Sequence, residues 1–337
     1  MTQHLHEDQL LLDAMALVTA ETPAVAILGD DSRVCSVIGD EEIRAALASG
    51  AAPGTSLRSI SSRDFVVASS EGEKDAFLAS GSRYLVELTD SREVSAVTDR
   101  RYLSAGDDVP LSHAVIMVGG AGSRLEPLTD SVPKPMLPIG GTPLLRRIVD
   151  HVKGHGIRRV TMALGYLGEQ IVEYFGDGAE MGLEIDYVHE EKPMGTAGAL
   201  GMVSRDAARP LLVMNGDILT GLNIRSMAFA HKESGATMTI ASRVHQQEIP
   251  YGVFNLIDGR VVAVEEKPTR SSWTNAGIYI INPSALDLVP ANHYSDMTLL
   301  IEKLVSRGDV VRAHCLWESW VDIGCPDDYE RAKKSDS

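Results

Sequence analysis

A chain of 337 residues is long enough for two domains, each with its own buried core. Its formal net charge of −16 repels phosphate backbones at long range, which argues against a nucleic-acid partner and leaves any anionic ligand dependent on local cations or a metal. The cysteines Cys35, Cys315 and Cys325 lack metal-ligand spacing and are odd in number, so they point to a reducing, cytoplasmic setting rather than a disulfide framework.

His4 and His6 fall in a terminus expected to be mobile. The first apolar segment, LLLDAMALV, is interrupted by Asp13 and flanked by Glu7, Asp8 and Glu21, which suits neither a signal peptide nor a membrane span. Two later stretches share a pattern: AVAILGDDSRVCSVIGDEEIRAAL from Ala24 and RYLVELTDSREVSAVTDRRYL from Arg83. Each reads as apolar strand, acidic turn, second strand and helix start. The pair resembles the tandem CBS (cystathionine-β-synthase-like) repeats, which implies a small α+β regulatory or dimerising module over residues 1–105. Such repeats often bind adenosine nucleotides through a Thr or Ser followed three residues on by Asp. Gly39 and Glu42 stand there in the first copy, Thr98 and Arg101 in the second, so neither copy keeps the pair and a docking or dimerising role is expected.

Gly106, Asp107, Asp108 and Pro110 mark a linker over 106–112, and a separable domain is expected over 113–337. There HAVIMVGG reads as a buried strand. TPLLRRIVDHVKGHG reads as a helix with Thr142 as N-cap, Pro143 at its first position, and Leu144, Leu145, Ile148, Val149 and Val152 along one face. RRVTMALGY, LEIDYVHE and RPLLVMNGD read as strands, with helices at LGEQIVEYFGDG and GTAGALGMVSR between them. This alternation predicts an α/β fold with a doubly wound, mostly parallel, Rossmann-like sheet whose ligands bind at the carboxyl ends of the strands.

The loop after the first of those strands, GGAGSRLEPLTDSVPKPMLPIGG, places bare backbone at Gly119, Gly120 and Gly122 beside the cations Arg124 and Lys134. Glycine N–H groups there can cradle phosphate oxygens. Leu125 stands where a dinucleotide fingerprint has its third glycine, and no Gly-Lys-Ser/Thr follows to make a P-loop. A merely flexible turn does not account for the arginine and the proline-braced lysine together.

GGAGSRLEPLT followed by PKPMLPIGGTPLL resembles the signature of the sugar-1-phosphate nucleotidyltransferases, and the similarity runs from about Ala114 to Ala332. Met117-Val118 replaces the family's usual Leu-Ala and adds bulk near the base or ribose. The resemblance implies that Arg124 and Lys134 are catalytic and that Val118, Gly119, Gly120, Gly122, Ser123, Glu190, Gly195 and Thr196 bind the nucleotide. A carboxylate at Glu190 suits the N1–H and N2–H of guanine, which favours GTP over the other NTPs. Asp217 in VMNGD and Asp322 in WESWVDIGCPDDY are implied as Mg²⁺ ligands. Gly252, Glu266, Lys267, Asn275 and Gly277 are implied to hold a sugar 1-phosphate.

His151 and His155 lie four apart without a third ligand, and a solvated helix face is expected for them. The chain thus reads as a guanylyltransferase on a sugar 1-phosphate, similar to bacterial GDP-sugar guanylyltransferases, with glucosamine, mannose and heptose 1-phosphates open as substrates. A homo-oligomer, formed through the amino-terminal module, and no membrane partner are expected. The alternatives are a uridylyl-, thymidylyl- or cytidylyltransferase, and a catalytically silent nucleotide-sugar sensor.

Overall fold

The computed structural model describes residues 4–105, 109–204 and 209–335. Gly106, Asp107 and Asp108 of the expected linker lie outside the described residues, as does Arg205 at the end of the expected helix from Gly195.

The chain opens with β1 (His4–His6), α1 (Leu11–Leu17), β2 (Ala24–Leu28), β3 (Val34–Gly39) and α2 (Asp40–Ala48). A second unit follows as β4 (Phe65–Ala68), α3 (Glu71–Ala79), β5 (Tyr84–Leu88), β6 (Val94–Asp99) and α4 (Arg100–Ala105). Both units have the same topology: the first strand lies parallel to the second, which forms an antiparallel hairpin with the third. The internal duplication read from the sequence is therefore also a duplication of strand order. The expected mobile terminus is instead the edge strand β1, because Leu5 between His4 and His6 is buried in register with Ile27. The units are tied together by Glu42, whose carboxylate accepts the Gly39 N–H at 3.0 Å and the hydroxyl of fully buried Tyr84 at 2.5 Å. Arg101, in the second unit, pairs with Asp99 at 2.8 Å.

The larger part begins with β7 (Ala114–Val118), the short pair β8 (Pro138–Ile139) and β9 (Thr142–Pro143), α5 (Leu144–Gly154), β10 (Arg159–Leu164), α6 (Gly168–Phe175) and β11 (Glu184–His189). It continues with α7 (Gly195–Gly198), β12 (Leu211–Asn215), β13 (Ile218–Thr220), α8 (Ile224–Ser234), β14 (Met238–Glu248), β15 (Val253–Ile257), β16 (Arg260–Glu265) and β17 (Thr269–Ile281). It closes with α9 (Pro283–Leu286), α10 (Met297–Arg307), β18 (Val311–Cys315), β19 (Trp320–Asp322) and α11 (Pro326–Ser335).

Seven strands form the central sheet in the order β11-β10-β7-β12-β17-β14-β18, parallel except where β17 meets β12 and β14. Side chains of β7 alternate between two cores: Ala114, Ile116 and Val118 face the one built on α5, and Val115 faces the one built on α10. A sheet buried on both faces needs the near-continuous apolar run that β7 supplies. In α5 the predicted stripe of Leu144, Leu145, Ile148, Val149 and Val152 is buried in full. Thr142 is not its N-cap: Thr142 and Pro143 pair with Ile139 and Pro138, and the helix starts one residue after Pro143. The helix expected from Gly195 is a single turn followed by a 3-10 turn over Ala199–Met202, as its glycines give little helical propensity.

Two further strand pairs stand outside the central sheet. β13 and β19 form one, antiparallel over three residue pairs with Ile218 opposite Asp322. β15 and β16 form the other, a projecting hairpin on which Phe254, Leu256, Ile257, Val261, Val262 and Val264 are all exposed. Among the described residues no helix is long and apolar enough to cross a membrane, and Cys35, Cys315 and Cys325 are free thiols.

Candidate active site

The carboxyl ends of the parallel strands converge. β7 runs into Gly119, β12 into Gly216-Asp217, β10 into Gly165 and β11 into Glu190. Parallel strands held in register by a shared ladder deliver their following loops to one edge, so residues far apart in sequence meet there. The strand ends and the loops after them pack closely. A Cβ on Gly216 would lie 2.4 Å from Val118 Cγ1, and one on Gly165 would lie 2.4 Å from the Gly119 carbonyl oxygen. Neither glycine stood out in the sequence, although each directly follows an apolar strand, which is the local signal for close approach.

The glycine loop is built around Lys134. Gly122 has φ +67, and a Cβ there would lie 2.9 Å from Lys134 Cβ and 3.1 Å from Thr129 Cγ2. The buried Thr129 hydroxyl donates to the Gly122 carbonyl at 3.0 Å and fixes that turn. Lys134 starts a 3-10 turn after Pro133 and is itself buried, only 7% exposed. Its ammonium donates to Asp217 Oδ2 at 2.5 Å. Met117, Val118, Gly120, Gly122, Ser123, Arg124, Lys134, Pro135, Gly216 and Asp217 line one cavity of about 280 Å³.

Asp217 and Asp322 are brought together by the β13–β19 pair, and the Ile323 N–H donates to the Asp217 carbonyl at 3.0 Å. Desolvation and the neighbouring Asp217 carboxylate push the Asp322 carboxyl above its ordinary pKa, against the pull of Lys134 and Arg124. The Asp217 Oδ1 atom is buried with no hydrogen-bond partner among the described residues. A buried carboxylate oxygen left open beside a second carboxylate is a donor set that fits a hard divalent cation completing its shell with phosphate and water. Arg124 is exposed at the rim, its guanidinium 3.6 Å from the Cβ position of Gly324, two residues beyond Asp322.

Glu190 forms a wall beside the start of the glycine loop, its carboxyl carbon 3.4 Å from the Cβ position of Gly119. Burial raises its pKa, and a weak hydrogen bond from the Met194 N–H at 3.4 Å opposes the shift. Gly195 has φ +78 and packs on Ser295 and Asp296. The Thr196 N–H donates to Asp296 Oδ1 at 3.1 Å and its hydroxyl accepts from the Met297 N–H at 2.9 Å. Thr196 thus ties this wall to the loop before α10, a function of Asp296 that the sequence did not reveal.

Asn275 and Gly277 reach the same edge. Gly277 has φ +72, and a Cβ there would lie 2.8 Å from Asn215 Nδ2 and 2.6 Å from Ile218 Cδ1, the residues flanking Gly216-Asp217. Asn275 accepts the Gly277 N–H at 2.9 Å and donates to the Tyr279 hydroxyl at 2.7 Å. Gly252, Glu266 and Lys267 lie apart, at the root of the projecting hairpin. Glu266 Oε2 is 3.2 Å from the Cβ position of Gly252, and none of the three bonds the glycine loop among the described residues.

His151 and His155 do not face solvent as expected. Their rings stack edge to face at 4.6 Å, and His151 Nε2 lies 3.0 Å from the Leu222 carbonyl. His155 is buried. They form packing, and neither touches the cavity.

A protein-family model described as Nucleotidyl transferase matches residues 113–337. Mannose-1-phosphate guanylyltransferase of Mycobacterium tuberculosis is 34% identical over 229 residues, which are 65% of this chain and 62% of that protein. UTP–glucose-1-phosphate uridylyltransferase of Synechocystis is 32% identical over 239 residues, with the same two coverages. The chain thus spans less than two thirds of the length of these relatives. The crystal structure of HddC from Yersinia pseudotuberculosis superposes with a TM-score of 0.53 at 24% identity, over 67% of this chain and 100% of that one, and shows the common fold.

Proposed function

Because the chain belongs to the nucleotidyl transferase family, we propose that it transfers a nucleotidyl group from an NTP to a sugar 1-phosphate, releasing pyrophosphate. A sugar-phosphate oxygen bonds to the α-phosphorus of the nucleotide. The bond from that phosphorus to the bridging oxygen breaks, and pyrophosphate leaves with the electron pair. The attacking oxygen is already ionised near neutral pH, so the chain needs to align and neutralise rather than to abstract a proton.

The observation that carries this reading is the 2.5 Å pair of buried Lys134 with Asp217, whose other oxygen is open, at the foot of a glycine loop. In this reading the N–H groups of Gly119, Gly120, Gly122 and Ser123 cradle the phosphates and Val118 borders the ribose. Lys134, held straight by Asp217, meets the α-phosphate, and Arg124 at the rim neutralises the departing pyrophosphate. Asp217 and Asp322 would hold Mg²⁺, which when bound polarises phosphoryl oxygens. Asn275 and Gly277 at the sheet edge, with Gly252, Glu266 and Lys267 at the hairpin root, are assigned to the sugar phosphate. Glu190, with Gly195 and Thr196 beside it, supports GTP, since a carboxylate accepts from both guanine N–H groups. The relatedness to a uridylyltransferase keeps UTP as the second reading.

The amino-terminal part we read as a CBS-like pair that docks or dimerises, on its duplicated strand order. The test of the catalytic reading is pyrophosphate release from GTP, UTP, dTTP and CTP against glucosamine, mannose, heptose and glucose 1-phosphates. GTP is expected to lead. A preference for UTP moves the assignment to a uridylyltransferase, and silence across the whole panel sinks the catalytic reading.

A further inference from the structure

Nucleotidyl transfer leaves unexplained a set of charges buried between the amino-terminal module and the larger part. Asp40 opens α2 and Arg44 lies one turn on; they are 2% and 6% exposed. The Arg44 guanidinium donates to both Asp40 oxygens, at 2.8 and 2.7 Å. It also donates to Glu318 at 2.6 and 3.2 Å and to the Cys315 carbonyl. The Ser226 hydroxyl of α8 donates to Asp40. One planar fork therefore satisfies two carboxylates from two parts of the chain, a geometry that lysine cannot reproduce.

Glu318 leads into β19, the strand that ends in Asp322, four residues on. Besides Arg44, its carboxylate accepts the Asn223 N–H at 3.0 Å. The Gly221 N–H donates to the Ser319 carbonyl at 2.9 Å, so the β13–β19 ladder continues outward to Glu318. The module also grips the segment just after β13: the Asn223 side chain, at the N-cap of α8, donates to the Tyr102 hydroxyl of α4 at 3.1 Å. A ladder of three residue pairs has little stability of its own. One end carries Asp217 and Asp322, and the other is clamped by the module.

We propose that Arg44 is a positioning residue for the Asp217–Asp322 pair: by fixing Glu318 against Asn223 it sets the register of the β13–β19 ladder and thereby the separation of the two carboxylates. The inference rests on the proposed role of those carboxylates as the metal site. It makes the module part of the catalytic apparatus without contact to substrate.

Mn²⁺ binding to the full chain, followed by electron paramagnetic resonance, tests it directly. Arg44→Met should weaken the Asp217-dependent Mn²⁺ site by roughly tenfold or more, the range found when groups orienting metal ligands are removed. In turnover, the Mg²⁺ needed for half-maximal rate should rise in step, while KM for the nucleotide changes by less than about twofold. Arg58→Met, which removes an exposed arginine paired with Glu7 and Asp8, should leave both unchanged. Arg44→Lys keeps the buried charge and decides the matter if Arg44→Met does not fold. Unchanged Mn²⁺ affinity in a variant folded by circular dichroism overturns the proposal, as does the absence of any Mn²⁺ site lost in Asp217→Asn. A Mn²⁺ site that obeys these expectations in a protein releasing no pyrophosphate would instead overturn only the catalytic reading.

Discussion

At the scale of single residues, Asp217 pairs with Lys134 through one oxygen and leaves the other open, and an amide there removes the negative charge that both depend on. Asp217→Asn and Asp322→Asn should each reduce pyrophosphate release by about a hundredfold or more at saturating Mg²⁺. Near-wild-type turnover in either would remove that residue from the proposed metal pair. Glu190→Gln leaves a single amide acceptor, so the ratio of kcat/KM for GTP to that for UTP should fall by roughly tenfold. An unchanged ratio would take Glu190 out of base recognition. Burial, with His155 adding to it and the Leu222 hydrogen bond opposing it, pushes the His151 pKa down to about 4. The unfolded chain takes up a proton at this site near pH 6.5, whereas the folded chain resists until about pH 4. Stability is thus full above the unfolded value and lost as pH falls through that window, by on the order of 2–3 kcal/mol. Urea titrations at pH 7 and pH 5 should show a smaller difference for His151→Gln than for wild type, and equal differences would place the titration elsewhere.

At the scale of elements, the glycine loop depends on one backbone conformation. Gly122→Ala imposes a side chain at φ +67, a cost of about 1–2 kcal/mol, and drives its Cβ against Lys134. Turnover should drop at least roughly tenfold while the melting temperature falls by only a few degrees. Wild-type turnover would show that Lys134 tolerates displacement. This loop, the apolar strands and the stripe of α5 were legible in the sequence because each rests on a local pattern: glycine spacing, period 2 or period 3.6. What escaped depends on partners distant in sequence. Gly165 and Gly216 matter only because other loops press on them, and Asp296 because Thr196 folds back to it. His151 and His155 looked solvated because the Leu222 carbonyl that His151 reaches comes from outside any local window. Thr142 fits an N-cap pattern, but strand pairing with Ile139 takes precedence over it.

At the scale of the molecule, buried charge joins the two parts on either side of the expected linker. Deleting residues before Pro110 differs physically from Arg44→Met. Deletion returns Glu318 to water, whereas Arg44→Met leaves Asp40 and Glu318 buried without their cation. The truncated chain should therefore fold and turn over, at a raised Mg²⁺ requirement, and Arg44→Met in the full chain should lose more stability than the truncation does. Melting curves and Mg²⁺ titrations on the two proteins check this. A folded truncation with no turnover at any Mg²⁺ concentration would show that the module does more than set the ladder.

The β15–β16 hairpin bears on the thermodynamics of the proposed sugar-phosphate binding. Two strands with apolar side chains exposed on both sides have little packing to hold them, so they should open and close far more often than the central sheet. Amides of residues 253–257 and 260–265 should exchange with deuterium long before those of β7, β10 and β12. Gly252 and Glu266 sit at the root of that arm, so if they hold the sugar phosphate as proposed, its binding must quieten the arm. Its binding should then show a more unfavourable entropy by calorimetry than binding of the nucleotide on the proposed glycine-loop site.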